Sequence, residues 1–442
     1  MFLKNSYKVL TVSALACTGL WATQATARGN VATAPASTAQ KQMEQKMQDL
    51  QQQVLDLKDT VEAQQKANNS DAAAPQAEKN SDKSLTIGGG VVTEYQVKDS
   101  DTVGRRAGGD LILDYLDINI AGDNGDGITY AADYRWSDVN FADGQYLHYG
   151  WAAYDFGQDG SHQIQGGMFQ VPFGNLPYGY DSFWGSLGFY MGLTDNQAAG
   201  LGYKYEAGPW RLDVDAFKND DLEQTSTYGG NPFDGYDRTN GGNMRLAYTF
   251  NNDGDNPVNV SAAVRGGQLE VNDPNGGDDN GNHVAGTIAI NANLGLWTVQ
   301  GQAVDYKYNV PKNTNLPRDS IRFQDYGFGY LVPASGQLYS VSIARRFPVE
   351  IGPISEFKVY NDYGYLKVGG DGTYADPSSP TGKTGDTQDS TFGISMVAGP
   401  VYIWADMIIA KNGGMVFNGP NDGDWHQRFN LTAAYYFGGD LF

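Results

Sequence analysis

The fold class that this sequence predicts is all-β: a sixteen-stranded antiparallel transmembrane β-barrel, with a short N-terminal periplasmic coiled-coil helix ahead of it. Three observations carry that expectation. From Ser84 onward, apolar and polar residues alternate with period two in runs of about ten, long enough to cross a bilayer at a barrel tilt. Short turns and long connections follow one another in strict alternation. The chain is rich in Gly and Tyr and has one Cys, with no run of about eighteen apolar residues. That last point excludes helical spans and leaves strands as the way across.

The first 27 residues read as a secretory signal. Lys4 and Lys8 precede an apolar run from Val9 to about Leu20, and Ala25-Thr26-Ala27 offers the small residues of a cleavage site. Cys17 leaves with that segment, so no disulfide framework is expected. Residues 28–66 form an N-terminal segment. Within it, from about 40 to 66, Met43, Met47, Leu50, Val54, Leu57 and Val61 fall on a heptad seam. A helix this short is marginal alone in water, so the seam points to self-association. A single amphipathic helix docked on another surface is the other reading. Residues 67–83 are a polar linker expected to be disordered.

Residues 84–442 are the barrel. Ile128, Tyr130, Ala132, Tyr134 and Trp136 alternate with Thr129, Ala131, Asp133, Arg135 and Ser137. Met244, Leu246, Tyr248 and Phe250 alternate with Asn243, Arg245, Ala247 and Thr249. Seven short turns, among them Asp123–Gly127, Glu206–Pro209 and Gly399–Pro400, alternate with eight long connections, hence sixteen strands. Phe323 to Val332 has strand character, but counting it alone breaks the alternation, so it belongs to the sixth long loop. The stretch "RFNLTAAYYFGGDLF" then reads as the closing strand, pairing with "SLTIGGGVVTEYQV". Phe429, Leu431, Ala433, Tyr435 and Phe437 face lipid on it. Closure removes both sheet edges, as lipid requires.

Catalytic and metal chemistry find no motif. There is no Gly-x-Ser-x-Gly, no phosphate-cradling loop and no His-Glu-x-x-His. His148, His162, His283 and His426 are scattered over separate strands or strand ends. "DNGDG" and "NDPNGGDDNGN" suit tight turns and lack the distant Glu of a calcium loop, with ion or lipopolysaccharide bridging as the other reading. No cofactor and no metal site is expected. The net charge of −21 argues against a nucleic-acid partner.

"GGMFQVPFGNLPYGYDSF", Gly166 to Phe183, resembles the Gly-x-Phe-x-x-Pro-Phe-Gly segment of the phosphate-selective porin group. Signal, coiled coil, linker, sixteen-strand barrel and terminal Phe together look like trimeric outer-membrane porins. Within these, the likeness is to the phosphate-selective group and its coiled-coil-bearing relatives that pass dicarboxylates or short amides. The resemblance implies a homotrimer in the outer membrane of a Gram-negative cell, among lipopolysaccharide, with the helix in the periplasm. It implies a water-filled channel for passive diffusion of small polar solutes, anionic ones included, and no enzyme activity. A barrel-anchored tether and an outer-membrane barrel enzyme are the competing readings.

In porins the third external loop folds inward. The third long loop here holds Phe173, Tyr178, Tyr180, Phe183, Trp184, Phe189 and Tyr190, too apolar for the cell exterior. It is read as the constriction, with packing against a neighbouring protomer as the alternative. Arg135, Lys204, Arg211, Arg245, Arg265, Arg346 and Arg428 fall on the polar alternate and are expected to line the pore and tune selectivity. Arg245 and Arg265 flank the turn at Asn251–Asn256 at nearly equal distance. They are expected side by side, with no adjacent acid on either strand.

Overall fold

The computed structural model describes residues 83–99, 108–137, 145–157, 160–183, 186–219, 236–271, 280–312, 317–325, 328–416 and 419–440. The expected signal, heptad helix and linker up to residue 82, together with Trp184 and Phe442, lie outside them.

Strands β1 (Ser84–Lys98), β2 (Asp110–Asp123), β3 (Ile128–Trp136), β4 (Gln145–Phe156) and β5 (His162–Gln170) open the chain. A four-residue helix, α1 (Leu187–Tyr190), interrupts the long connection that follows. Next come β6 (Gln197–Ala207), β7 (Trp210–Asn219), β8 (Tyr236–Phe250), β9 (Val258–Val271), β10 (Gly281–Leu294) and β11 (Trp297–Asn309). Two short strands, β12 (Ser320–Asp325) and β13 (Phe328–Pro333), precede β14 (Ser335–Ile351) and β15 (Ile354–Val368). After the two-residue strands β16 (Tyr374–Ala375) and β17 (Lys383–Thr384), the chain ends in β18 (Thr387–Ala398), β19 (Val401–Lys411) and β20 (Trp425–Asp440).

Sixteen of these strands close into one barrel, in the order β1 to β11, then β14, β15, β18, β19 and β20. β12 with β13, and β16 with β17, are separate hairpins inside long connections. The strand-like stretch 323–332 is therefore part of a loop, as the alternation required. β20 closes on β1 from Thr86 opposite Asp440 to Lys98 opposite Arg428.

Local chemistry explains the short turns. Four of them have two central residues beginning with Gly208, Gly295, Gly352 or Gly399, at φ of 56°, 63°, 57° and 62°. Three of those glycines precede Pro, whose fixed φ suits the second position of a turn that needs a left-handed first residue.

The two faces are reversed relative to a protein folded in water. Leu111, Leu201 and Ile288 are more than 60% exposed, while Asp117, Asp213, Asp406, Asn430 and Thr432 are buried. Leu431 and Tyr435 are exposed on the closing strand, and Asn430, Thr432 and Ala434 are withdrawn inside. Exposed Tyr154, Trp210, Phe250, Trp297 and Phe347 gather near the short turns, where an aromatic girdle marks a membrane boundary.

Candidate pore constriction

The described parts of the third long connection, 171–183 and 186–196, lie inside the barrel. Its Phe173, Leu187, Phe189, Tyr190, Met191 and Leu193 are each at most 4% exposed. They share one apolar cluster with wall residues such as Val304, Leu338 and Leu366. An aromatic loop in a polar lumen removes its apolar surface from water by pressing it against the wall. The aromatic residues divide accordingly. Phe173, Phe189 and Tyr190 pack outward, Phe183 meets Trp404 at 5.1 Å, and Tyr178, 51% exposed, faces the open side.

Polar wall residues fix the loop along its length. Asn243 on β8 donates to the Pro172 carbonyl at 3.1 Å. Gln300 on β11 donates to the Tyr178 carbonyl at 2.9 Å, and Asn175 donates to the Gly301 carbonyl at 3.1 Å. At the far side the loop presents amides to carboxylates. Asp181 and Ser182 donate backbone N–H groups to Asp362 on β15 at 3.1 and 2.7 Å, and Phe183 donates to Asp406 on β19 at 3.2 Å. Asp181 in turn accepts from Lys358 and Ser342, each at 2.8 Å. On the loop's return limb, burial pushes the Asp195 carboxyl up to about 7, against the opposing Arg135 charge and the Gln170 amide.

The seven basic residues read from the sequence separate into three groups. Arg135 and Arg211 face the conduit from ion pairs whose acid lies behind them. Arg135 is 18% exposed against 4% for Asp133, at 2.9 Å, and stacks 4.4 Å over the Tyr115 ring. Arg211 is 24% exposed against 4% for Asp213, also at 2.9 Å. Lys358 on β15 is likewise more exposed than its acid, at 26% against 11%, but that acid, Asp181, is supplied by the constriction loop. Glu206, 36% exposed and 3.5 Å from Arg211, is an acid that does share the conduit side. Lys204 is half-buried opposite Asp213, and Arg346 is exposed close to the β14–β15 turn.

The second group is committed to the wall. Arg428 is buried and bonds Glu94 at 2.7 Å across the β20–β1 seam. Arg245 is buried, 3.5 Å from Asp213 and 3.3 Å from Asn259. Arg265 stands alone in the third. Its guanidinium donates to the Gly192 carbonyl at 2.5 Å and to Asn196 at 3.1 Å, and lies 4.8 Å over Phe173.

The expectation of a free Arg245–Arg265 pair needs correcting. The turn does bring them to similar height: Arg245 lies opposite Ala263, and Arg265 opposite Asn243. Neither of their two strands carries an adjacent acid, as expected, but a third strand supplies one: β7 places Asp213 directly opposite Arg245. Arg265 is turned into the constriction loop. Asp362 and Asp406 fall on the polar alternate expected to face the lumen, whereas Gln300 and Gln302, which bond the Tyr178 carbonyl and the Asn175 amide, are not singled out by any motif. Period two gives their face, and nothing local names a partner more than a hundred residues away.

The four His residues sit apart from one another in the described structure. His148 bonds Asp133 at 3.0 Å, on the same oxygen that Arg135 holds. His162 bonds the Tyr203 hydroxyl, and His426 lies between Asp99 and Asp422. Among the described residues, no group of three or more His, Cys, Asp or Glu is placed to hold a metal ion.

No known family model matches this chain, and no curated protein matches it either. Solved structures do. An outer-membrane protein of Vibrio cholerae, OmpT in its trimer form, is 12% identical over 80% of this chain and 99% of its own, with a TM-score of 0.50. The outer-membrane channel DcaP of Acinetobacter baumannii is 12% identical over 83% and 100%, also at 0.50. Salmonella typhi OmpF, in complex with daunomycin, is 13% identical over 80% and 97%, again at 0.50. At these identities the likeness is one of fold.

Proposed function

We propose that this chain is an outer-membrane porin, a water-filled channel for passive diffusion of small polar solutes with a preference for anions. The observation that carries the preference is the layering of charge: Arg135, Arg211 and Lys358 present their cations to the conduit over acids that are more deeply buried. A buried carboxylate fixes the direction of its guanidinium and is itself shielded from a passing solute. The overall acidity of the chain does not set the conduit's sign, because charges on outer loops are screened over about 10 Å.

The closed barrel and the inward loop support a channel in preference to a plain anchor. The same fold occurs among outer-membrane proteins of several kinds, so the likeness does not single out the phosphate-selective group. A homotrimer in the outer membrane, with residues 40–66 as a periplasmic associating helix, completes the reading and extends the resemblance of the sequence.

The test is a triple substitution, Arg135→Gln, Arg211→Gln and Lys358→Gln. Asp133 keeps His148, Asp213 keeps Arg245 and Asp181 keeps Ser342, so the wall retains partners for each acid. The reversal potential across a salt gradient is expected to move toward cation selectivity, with the barrel still folded. A reversal potential equal to that of the wild type would remove these three residues from the selectivity mechanism.

A further inference from the structure

The sixth long connection folds a second element into the interior. β12 and β13 pair from Ser320 opposite Pro333 to Asp325 opposite Phe328. Ile321, Phe323, Tyr330 and Val332 are buried, and they belong to the same apolar cluster as the constriction loop.

Tyr330 is the direct link. Its hydroxyl donates to the Tyr190 carbonyl at 2.6 Å, and the two rings cross at 78° with centroids 6.2 Å apart. Tyr190 is the last residue of α1, a single turn with no side-chain cap at its N-terminus. A turn this short does not hold itself in water, and its final carbonyls need outside donors. Tyr330 supplies one.

The hairpin is in turn fastened to the wall. Tyr306 donates to the Pro333 carbonyl at 3.1 Å, and Tyr236 to the Pro317 carbonyl at 2.9 Å. Phe323 meets the Tyr308 ring at 5.7 Å and the Arg238 guanidinium at 5.5 Å. The path of support runs from β8 and β11 through the hairpin to the return limb of the constriction loop.

We propose that the β12–β13 hairpin is a width-setting latch, with Tyr330 as the positioning residue that holds α1 of the constriction loop against the wall. The inference rests on the channel reading. It assigns control of the conduit's width to an element outside the constriction loop itself.

The hairpin can be excised cleanly, because its neck is closed. Ala334 donates its backbone N–H to the Asp319 carbonyl at 2.9 Å, and Tyr308 donates to the Ala334 carbonyl at 2.7 Å. Residues 320–333 are replaced by Gly-Gly, and a second variant carries Tyr330→Phe. Single-channel conductance and open-channel noise are recorded in planar bilayers, with heat-modifiable mobility as the check on the barrel.

Excision is expected to raise conductance several-fold and to add noise. Tyr330→Phe, which frees α1 from the wall and removes no bulk, is expected to add noise and to lower the mean open current, at unchanged heat resistance. A folded, excised barrel with wild-type conductance and noise overturns the latch while leaving the channel intact. If excision prevents folding, Tyr330→Phe decides, and a trace indistinguishable from wild type overturns the proposal. A wild-type barrel that does not conduct sinks the channel reading and the latch together.

Discussion

Replacing Asp362 with Ala is expected to raise single-channel conductance several-fold and to make the open current noisy. Asp362 accepts the backbone N–H groups of both Asp181 and Ser182, at the far end of the constriction loop. The residue is 3% exposed, so no bulk water stands ready to replace it. Leaving a buried donor without an acceptor costs about 1–3 kcal/mol, and two donors are affected. The loop has no reason to bear that cost, since its freed end can swing back from β15 toward the side held by Asn243 and Gln300, which widens the conduit. Barrel closure, which rests on the strand ladders, is expected to survive. Asp362→Asn keeps an acceptor oxygen of the same reach and is expected to stay close to wild type. If Ala and Asn behave alike and both match the wild type, the loop is held by its apolar contacts and its other wall hydrogen bonds, and Asp362 has no part in fixing it.

Arg428→Met is expected to produce the largest loss of stability. Glu94 is 1% exposed and accepts from Arg428 at 2.7 Å and Asn430 at 3.1 Å, across the seam where the first and last strands meet. Removing one partner of a buried ion pair costs about 3–5 kcal/mol, because the other charge stays buried and uncompensated. The temperature at which the folded, fast-migrating form is lost in detergent gels should fall clearly. Adding Glu94→Gln to the same chain removes the stranded charge and should recover much of the loss. An unchanged transition in the single variant would mean that the seam draws its stability from the backbone ladder and the lipid-facing side chains only.

Much of the barrel was legible because both of its determinants are local. Period-two alternation fixes each face, and a two-residue turn fixes the register of the strands that it joins. The short connection after Phe250, though longer than two residues, still located Arg245 and Arg265 relative to each other, because they stand at nearly equal distance from it. It could not locate Asp213, because β7 and β8 are joined by a long connection that carries no register information. The same limit hid the constriction's fastening. The aromatic content of residues 171–196 showed that the loop would avoid water. Which wall residues would receive it depends on where it crosses the lumen, and Asp362, Asp406 and Arg265 meet it through space. Arg265 illustrates the consequence. Its position on the polar alternate is shared with a true lining residue, and only the tertiary contact to Gly192 and Asn196 separates a loop anchor from a selectivity group.

The central claim is a conducting barrel whose accessible cations outweigh the acids behind them. Reversal potential of the purified wild-type chain in a planar bilayer, under a potassium chloride gradient, tests it most directly. Discrete conductance steps with a reversal potential on the anion-selective side are the predicted result. A folded chain that leaves the bilayer insulating, or one that reverses on the cation-selective side, would contradict the account.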